Sequence, residues 1–284
     1  MKVFVTGAKG QLGSDVMTEL NSQGFEAVGV DIDSLDITDQ DAVNRLMEEV
    51  KPDVVIHCAA WTAVDAAQDH EEECRNVNAR GTEYLARACG KQDCKMLYLS
   101  TDYVFDGQGE RPWQPDDPVT KPLNVYGQTK YEGEQAVRQW VPKHFIVRIA
   151  WVFGMHGNNF VKTMLRIGKT HDVLTVVDDQ FGTPTYTPDL AVLLVDMIST
   201  DQYGTYHATN EGGYISWYDF AREIFRTAGM SVTVKPVSSE EYGAKAIRPF
   251  NSRLDKSRLS ERGFKRLPPW QDALARYIRD MHCI

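Results

Sequence analysis

The stretch Val5–Gly13, VTGAKGQLG, decides the fold. It closes the apolar run Lys2–Thr6, a buried-type strand, and opens Gln11–Ser22, an amphipathic helical segment. Gly7, Gly10 and Gly13 stand between the two in GxxGxxG spacing, with Gln11 and Leu12 at the helix start. Glycines there let the backbone approach a pyrophosphate, which then sits at the positive end of the helix. On spacing alone the same glycines also fit a plain strand-to-helix turn. Asp31 closes the next strand, Phe25–Val30, about twenty residues on, where a carboxylate holds a ribose diol. That acid repels a 2′-phosphate and favours NADH, while Lys9 within the turn leaves NADPH open. The competing reading of Asp31 is a helix cap or a solvated turn residue.

Outward from this unit, strands and helices alternate. Asp39–Val50 reads as a helix with an acidic first turn, and Asp53–Ala59 as an apolar strand. A long helix is predicted over 71–91, a strand over 96–100, a helix over 124–140 and a strand over 145–152. Apolar strands alternating with helices imply a parallel sheet covered on both faces. With right-handed crossovers the expectation is an α/β fold, a Rossmann-type doubly wound parallel sheet with a smaller C-terminal substrate-binding lobe. Residues 1–150 would form the NAD(P)-binding domain with the catalytic residues. Residues 151–284 would form mainly the substrate lobe, partly interleaved with the first, because Gly/Pro/Asn turns such as GTPTYTP and NEGG break them into shorter pieces.

The chain has 284 residues and a formal net charge of −9, which argues against binding to nucleic acid but not against a small anion met by local cations. Its five cysteines, Cys58, Cys74, Cys89, Cys94 and Cys283, have neither disulfide nor metal-pair spacing, so a reducing cytoplasm is expected. No signal peptide and no apolar run of membrane-spanning length is visible, and no membrane partner is expected.

The stretch Ser100–Phe105, STDYVF, ends a strand with a hydroxyl, a carboxylate and a phenol. Ligands of open α/β sheets bind at such strand ends. Further on, NVYGQTK places Tyr126 and Lys130 four residues apart, on one face of a helix. Such a pair also occurs as ordinary surface residues. Together with Thr101 it makes chemistry: a ketone receiving hydride needs a proton donor, and an ammonium near a phenol favours its ionised form. Asp102 caps a turn or joins the substrate floor, and Phe105 reads as core.

These motifs resemble the extended short-chain dehydrogenase/reductase family. The resemblance implies that Thr101, Tyr126 and Lys130 form the catalytic set, with Tyr126 and Lys130 also touching cofactor. It implies that Asp36 and Ile37, in LDITD, contact adenine, and that Ala59, Ala60 and Trp61 line the cofactor after a strand; His57 stands where the family usually has Asn. Thr-Asp-Tyr at 101–103 lacks the Glu of the family's dehydratases, which favours plain carbonyl reduction. Taken in order, STDYVFDG, PLNVYGQTK, RIAWVFG, NNFVKTML, DDQFGTPTYTPDLA, YHATNEG and RPFNSRLD resemble the dTDP-4-dehydrorhamnose reductases within that family.

That resemblance implies a dTDP-sugar substrate reduced at C4 with NADH or NADPH. Thr101, Asp102, Trp151, Asn159, Gln180, Thr185 and Arg253 are then the candidate substrate contacts, with Arg248 a second phosphate clamp and Asn158 and Phe160 further candidates. Trp151 also reads as core, Asn159 as a cap, and Gln180 and Thr185 as parts of a Gly-Pro turn. His207 reads as structural. Some family members are dimers bridged by Mg²⁺; Asp15 and Asp189 are the acids to consider, but no oxygen-ligand cluster is evident, and no catalytic metal is expected. A monomer or homodimer is expected. Two alternatives stay open: a reductase of another nucleotide-4-keto sugar, and a non-catalytic NADP-binding regulatory subunit like that of methionine adenosyltransferase.

Overall fold

The computed structural model describes residues 1–282; Cys283 lies outside them. Five strands, β1 (Lys2–Thr6), β2 (Glu26–Val30), β3 (Val54–His57), β4 (Lys95–Thr101) and β5 (His144–Ile149), are joined by a sixth, β6 (Gly204–His207). They form one sheet in the order β6-β5-β4-β3-β1-β2, with every pair parallel. The strand order reverses between β1 and β3, which opens a crevice at their carboxyl ends.

Both faces of the sheet are apolar, and alternation along each strand splits the core in two. Val3, Val5, Ile56, Leu97 and Val147 pack with Leu12 and Val16 of α1 (Gln11–Ser22). Phe4, Val55, Met96 and Ile146 pack on the other side with Val43 and Met47 of α2 (Gln40–Val50) and Leu85 of α3 (Thr82–Gln92). Helix α4 (Val125–Trp140) covers the β4–β5 region. Asp39 and Asn124 are caps just outside α2 and α4, their side chains accepting first-turn N–H groups.

Two expected elements are built differently. The helix expected over 71–91 is interrupted: Glu71–Arg75 runs into a π-helical turn, Asn76–Gly81, before α3. The extra residue in that turn aims the Asn78 side chain inward, where Trp61, Thr129 and Cys74 bond it. The strand expected over 145–152 stops at Ile149, because Trp151 adopts a left-handed φ of 52° that ends the ladder. Val152–Phe153 instead pairs with Thr185–Tyr186.

Past that break the chain builds a third core around Phe153, Phe220, Trp270 and Tyr277, which includes α5 (Phe160–Gly168). It also returns to the first layer. Helix α6 (Thr187–Ile198) packs on α1, and β6 extends the sheet beside β5. Helix α7 (Trp217–Thr227) opens on a Ser216/Asp219 capping box. Among the described residues, no helix is long and apolar enough to cross a membrane.

Candidate active site

A cleft of about 770 Å³ opens at the carboxyl ends of β1, β3, β4 and β5. At one end lies the glycine turn. Gly7 has φ of 66°, and a Cβ on it would sit 2.7 Å from the Ala59 nitrogen; a Cβ on Gly13 would sit 2.0 Å from the Gly7 carbonyl oxygen. The turn therefore presses α1 against the loop after β3, as only glycine allows. Helix α1 begins at Gly10 without a side-chain cap, so first-turn N–H groups remain open to an anion. Gly7, Gly10, Gln11 and Leu12 line the cleft. So do Asp31, Asp36, Ile37, Ala59 and Ala60. Asp31 accepts the Lys9 and Ile32 backbone N–H groups, each at 2.9 Å, while the Lys9 ammonium pairs with Asp33. This cradle fits a nicotinamide dinucleotide.

The other end carries the chemistry. Thr101 leaves β4, Tyr126 and Lys130 come from the first turns of α4, and all three line the cleft with Asp102, Tyr103 and Trp151. Thr101 Oγ1 donates to Asp102 Oδ1 at 3.0 Å, and Asp102 Oδ2 is buried with no partner. Burial pushes the Asp102 carboxyl up to about 6. Lys130 is 3% exposed, and its Nζ lies 4.2 Å from the centre of the Tyr98 ring. Burial lowers its ammonium to about 7, while Glu134 pulls in the opposite direction. Tyr126 is raised above the usual phenol range by burial, with Thr101 drawing it back. Burial dominates at Tyr126, and the Lys130 ammonium faces the Tyr98 ring.

The aromatic wall has a member that sequence reading missed. Trp151 stacks on Trp217 with ring centres 3.8 Å apart, and Trp217 also lines the cleft. Phe160 packs behind Trp217 at 4.6 Å. The only hint of Trp217 in the sequence is its place beside a capping box. Asn78 was missed too: 1% exposed, it holds the loop after β3 at the Trp61 backbone against α4, and an Asn three residues before Gly81 within a helical run was the available signal.

Eight predicted site residues, Phe160 and Arg248 among them, are not on the cleft wall. Gly13 acts by packing. Trp61 turns its indole N–H to the Ala63 carbonyl. Asn159 caps α5 and donates to Gln11 Oε1 at 2.8 Å, so it ties the cofactor turn to the C-terminal lobe. Gln180 donates to Ser239 Oγ, and the fully buried Thr185 donates to the Ala150 carbonyl just before Trp151. Arg253 lies over Phe181, and its guanidinium donates only to Asn251 Oδ1.

The remaining candidates are placed as follows. Arg248 is engaged by Asp65 at 2.7 Å, and Asn158 lines the cleft. His57 is buried between Thr6 and Thr82. His207 is buried edge-on to Phe105, with neither ring nitrogen bonded. Asp189 pairs with Arg276, and Asp15 Oδ2 is buried without a partner. Among the described residues, no three His, Cys, Asp or Glu side chains are placed to hold a metal ion.

A glycine turn at a strand-order reversal, with Thr, Tyr and Lys converging at the neighbouring strand end, defines a nicotinamide-dependent oxidoreductase of the extended short-chain dehydrogenase/reductase type. The family model described as the RmlD substrate binding domain matches residues 1–283, and the chain belongs to that family. A dTDP-4-dehydrorhamnose reductase of Streptomyces griseus is 43% identical, the match covering 95% of this chain and 91% of that one. A solved dTDP-4-dehydrorhamnose reductase of Clostridium acetobutylicum is 44% identical with TM-score 0.96, covering 99% of this chain and 100% of its own. The Bacillus anthracis enzyme of that name, solved with NADP, is 42% identical with TM-score 0.95, covering 98% of this chain and 99% of its own.

Proposed function

We propose that the protein reduces the C4 ketone of dTDP-4-dehydro-β-L-rhamnose to give dTDP-L-rhamnose, the last step in making that activated sugar. The observation that carries this reading is the convergence of Thr101, Tyr126 and Lys130 on one cleft wall, facing a glycine cradle at its other end. A reduced nicotinamide bound in that cradle supplies the hydride. Tyr126 gives its phenolic proton to the carbonyl oxygen as the carbon–oxygen π bond breaks, so ketone, hydride and proton balance as an alcohol. Thr101 has one proton, now donated to Asp102; it steadies the ketone oxygen by turning that proton into the cleft. Lys130 holds positive charge beside the reacting group and stabilises Tyr126 as it loses its proton.

Trp151, backed by Trp217, offers a flat apolar face to a deoxy sugar. For the diphosphate, Arg253, set back from the cleft wall over Phe181, is favoured because among the described residues it has no carboxylate at ion-pair distance, whereas Asp65 holds Arg248. NADH is preferred, with Asp31 and Asp33 beside the ribose position. The enzyme works in the cytoplasm as a monomer or homodimer, without metal.

The test is a spectrophotometric assay with dTDP-4-dehydrorhamnose generated in situ and NADH and NADPH run in parallel. Sugar-dependent oxidation yielding dTDP-L-rhamnose supports the reading. Cofactor binding without oxidation would overturn it in favour of a regulatory role, and oxidation only with another keto sugar would reassign the substrate.

A further inference from the structure

One carboxylate joins the helix that carries Tyr126 and Lys130 to the strands that lead to Thr101 and Trp151. Glu134 lies one turn beyond Lys130 on α4 and is fully buried. Its Oε1 accepts from Ser100 Oγ at 2.6 Å and from Arg148 Nε at 2.8 Å. Its Oε2 accepts from Arg148 Nη2 at 2.8 Å and from Arg138 Nη2 at 2.9 Å. Ser100 precedes Thr101 at the end of β4, and Arg148 is its partner on β5, two residues before the break that leads to Trp151.

We infer that Glu134 is a positioning residue for the reduction: it fixes the distance between Tyr126 and Lys130 on the helix and Thr101 and Trp151 at the strand ends. The inference rests on the reductase reading above.

A purely structural role explains this arrangement poorly. A buried ion pair is seldom more stabilising than apolar residues of similar volume, because both charges lose water. Helix α4 already buries Gly127, Thr129, Gly133, Ala136 and Val137 against its neighbours. The carboxylate adds direction, since donors from β4 and β5 meet it with hydrogen-bond geometry that sliding α4 along the sheet would break. Arg148 is itself fixed, stacked over Phe105 and donating to the Pro115 carbonyl.

The carboxylate also favours the charged form of Lys130. Lys130 is faced by Glu134 from its own helix, by Tyr98 from β4, by Cys58 and His57 from the end of β3, and by Cys74 from the Glu71–Arg75 helix. Glu134 is faced by Arg148, Arg138, Ser100 and Tyr98. Removing its charge disfavours the Lys130 ammonium, so any step needing that ammonium fails at a lower pH.

The experiment compares wild type with the Glu134→Leu/Arg148→Met double variant, which removes both buried charges together, and with Ser100→Ala, which removes one cross-link without stranding a charge. Thermal melts establish folding. kcat, KM and their pH profiles are measured with the dTDP-keto sugar, and NADPH binding is followed by fluorescence from pH 6 to 9. The expected result is a folded double variant whose kcat falls roughly ten- to hundredfold, the scale of a misplaced catalytic group. KM changes less, the basic limbs of kcat and of NADPH binding move to lower pH, and Ser100→Ala lowers kcat in the same direction by less. A folded double variant with wild-type kcat and unmoved basic limbs overturns the inference. If the double variant does not fold, Ser100→Ala decides: unchanged kcat overturns the inference. A wild type that oxidises neither cofactor with the sugar refutes the reductase reading instead, and the pH midpoint of NADPH binding still reports on Glu134.

Discussion

Substituting Gly182 by alanine tests the aromatic wall with a single methyl group. Gly182 does not have a positive φ, so the backbone accepts alanine without strain. The added Cβ would lie 2.8 Å from Trp151 Cε2 and 3.0 Å from its Nε1. Ordinary carbon contacts begin near 3.5 Å, so the indole must give way by roughly 0.5–1 Å. It has little room to do so, because Trp217 is stacked 3.8 Å away and Trp151 sits in a left-handed backbone conformation. Overpacking of this kind costs about 1–3 kcal/mol. If most of that cost falls on the bound sugar, kcat/KM for the dTDP-keto sugar drops roughly ten- to hundredfold. The glycine cradle lies at the other end of the cleft, so the dissociation constant for NADH stays within about twofold. Steady-state kinetics and cofactor fluorescence titration read the two quantities separately. Unchanged kcat/KM in a folded Gly182→Ala protein would refute a sugar-binding role for Trp151.

Three further outcomes are expected. Tyr126→Phe keeps the ring against Tyr103 and removes the proton; turnover should fall by about 10²–10⁴-fold with cofactor affinity nearly unchanged, and wild-type rates would exclude Tyr126 as the donor. Asp31→Ala should move the NADPH/NADH ratio of kcat/KM toward NADPH, by about fivefold for loss of one exposed charge contact; an unmoved ratio would show that Asp31 does not read the ribose. Burial holds the His57 imidazole down to about 3, below the 6.5 of the unfolded chain, so its neutral form is what folding favours. Its contribution to stability is therefore complete above about pH 6.5 and is lost as the pH falls toward 3. Denaturant melts at pH 7.5, 6, 5 and 4 should show a shallower acid loss for His57→Asn than for wild type. Equal slopes would remove His57 from the account.

The fold, and the meeting of Thr101, Tyr126 and Lys130 on one cleft, were legible because their signals are local. Gly7, Gly10 and Gly13 lie within one turn, Tyr126 and Lys130 lie one helical turn apart, and Thr101 ends an apolar run. The rest of the site depends on pairings between distant parts of the chain. Trp217 becomes a cleft residue only because α7 docks beneath Trp151. Thr185 looked like a ligand contact, yet its hydroxyl supports the strand break by bonding the Ala150 carbonyl. Gln180 looked available in its Gly-Pro turn, but it is spent on Ser239 from a later segment. A side chain's polarity shows that it will seek a partner; only the tertiary fold shows which one it finds.

The same reasoning separates the two arginine clamps that sequence left equivalent. An acidic chain must present its cations selectively if it is to bind a diphosphate, and Coulomb attraction to a ligand is weakened wherever a carboxylate already neutralises the guanidinium. Arg248 is held by Asp65, whose other oxygen accepts from the Ala246 backbone N–H and from Arg248 itself, while Lys245 is held by Asp69. These contacts fasten the segment around Ala246 to the short helix Val64–Ala67, whose Val64 lines the cleft. Arg253, by contrast, is desolvated enough to lower its pKa and lies over Phe181, next to the Gly182 that touches Trp151. Both guanidiniums are partly buried, but Arg248 must first release Asp65, whereas Arg253 has no carboxylate at ion-pair distance among the described residues and gains more from an arriving phosphate. Arg248 is therefore committed to fastening the Ala246 segment, and Arg253 is the arginine left for the diphosphate in the reading proposed above.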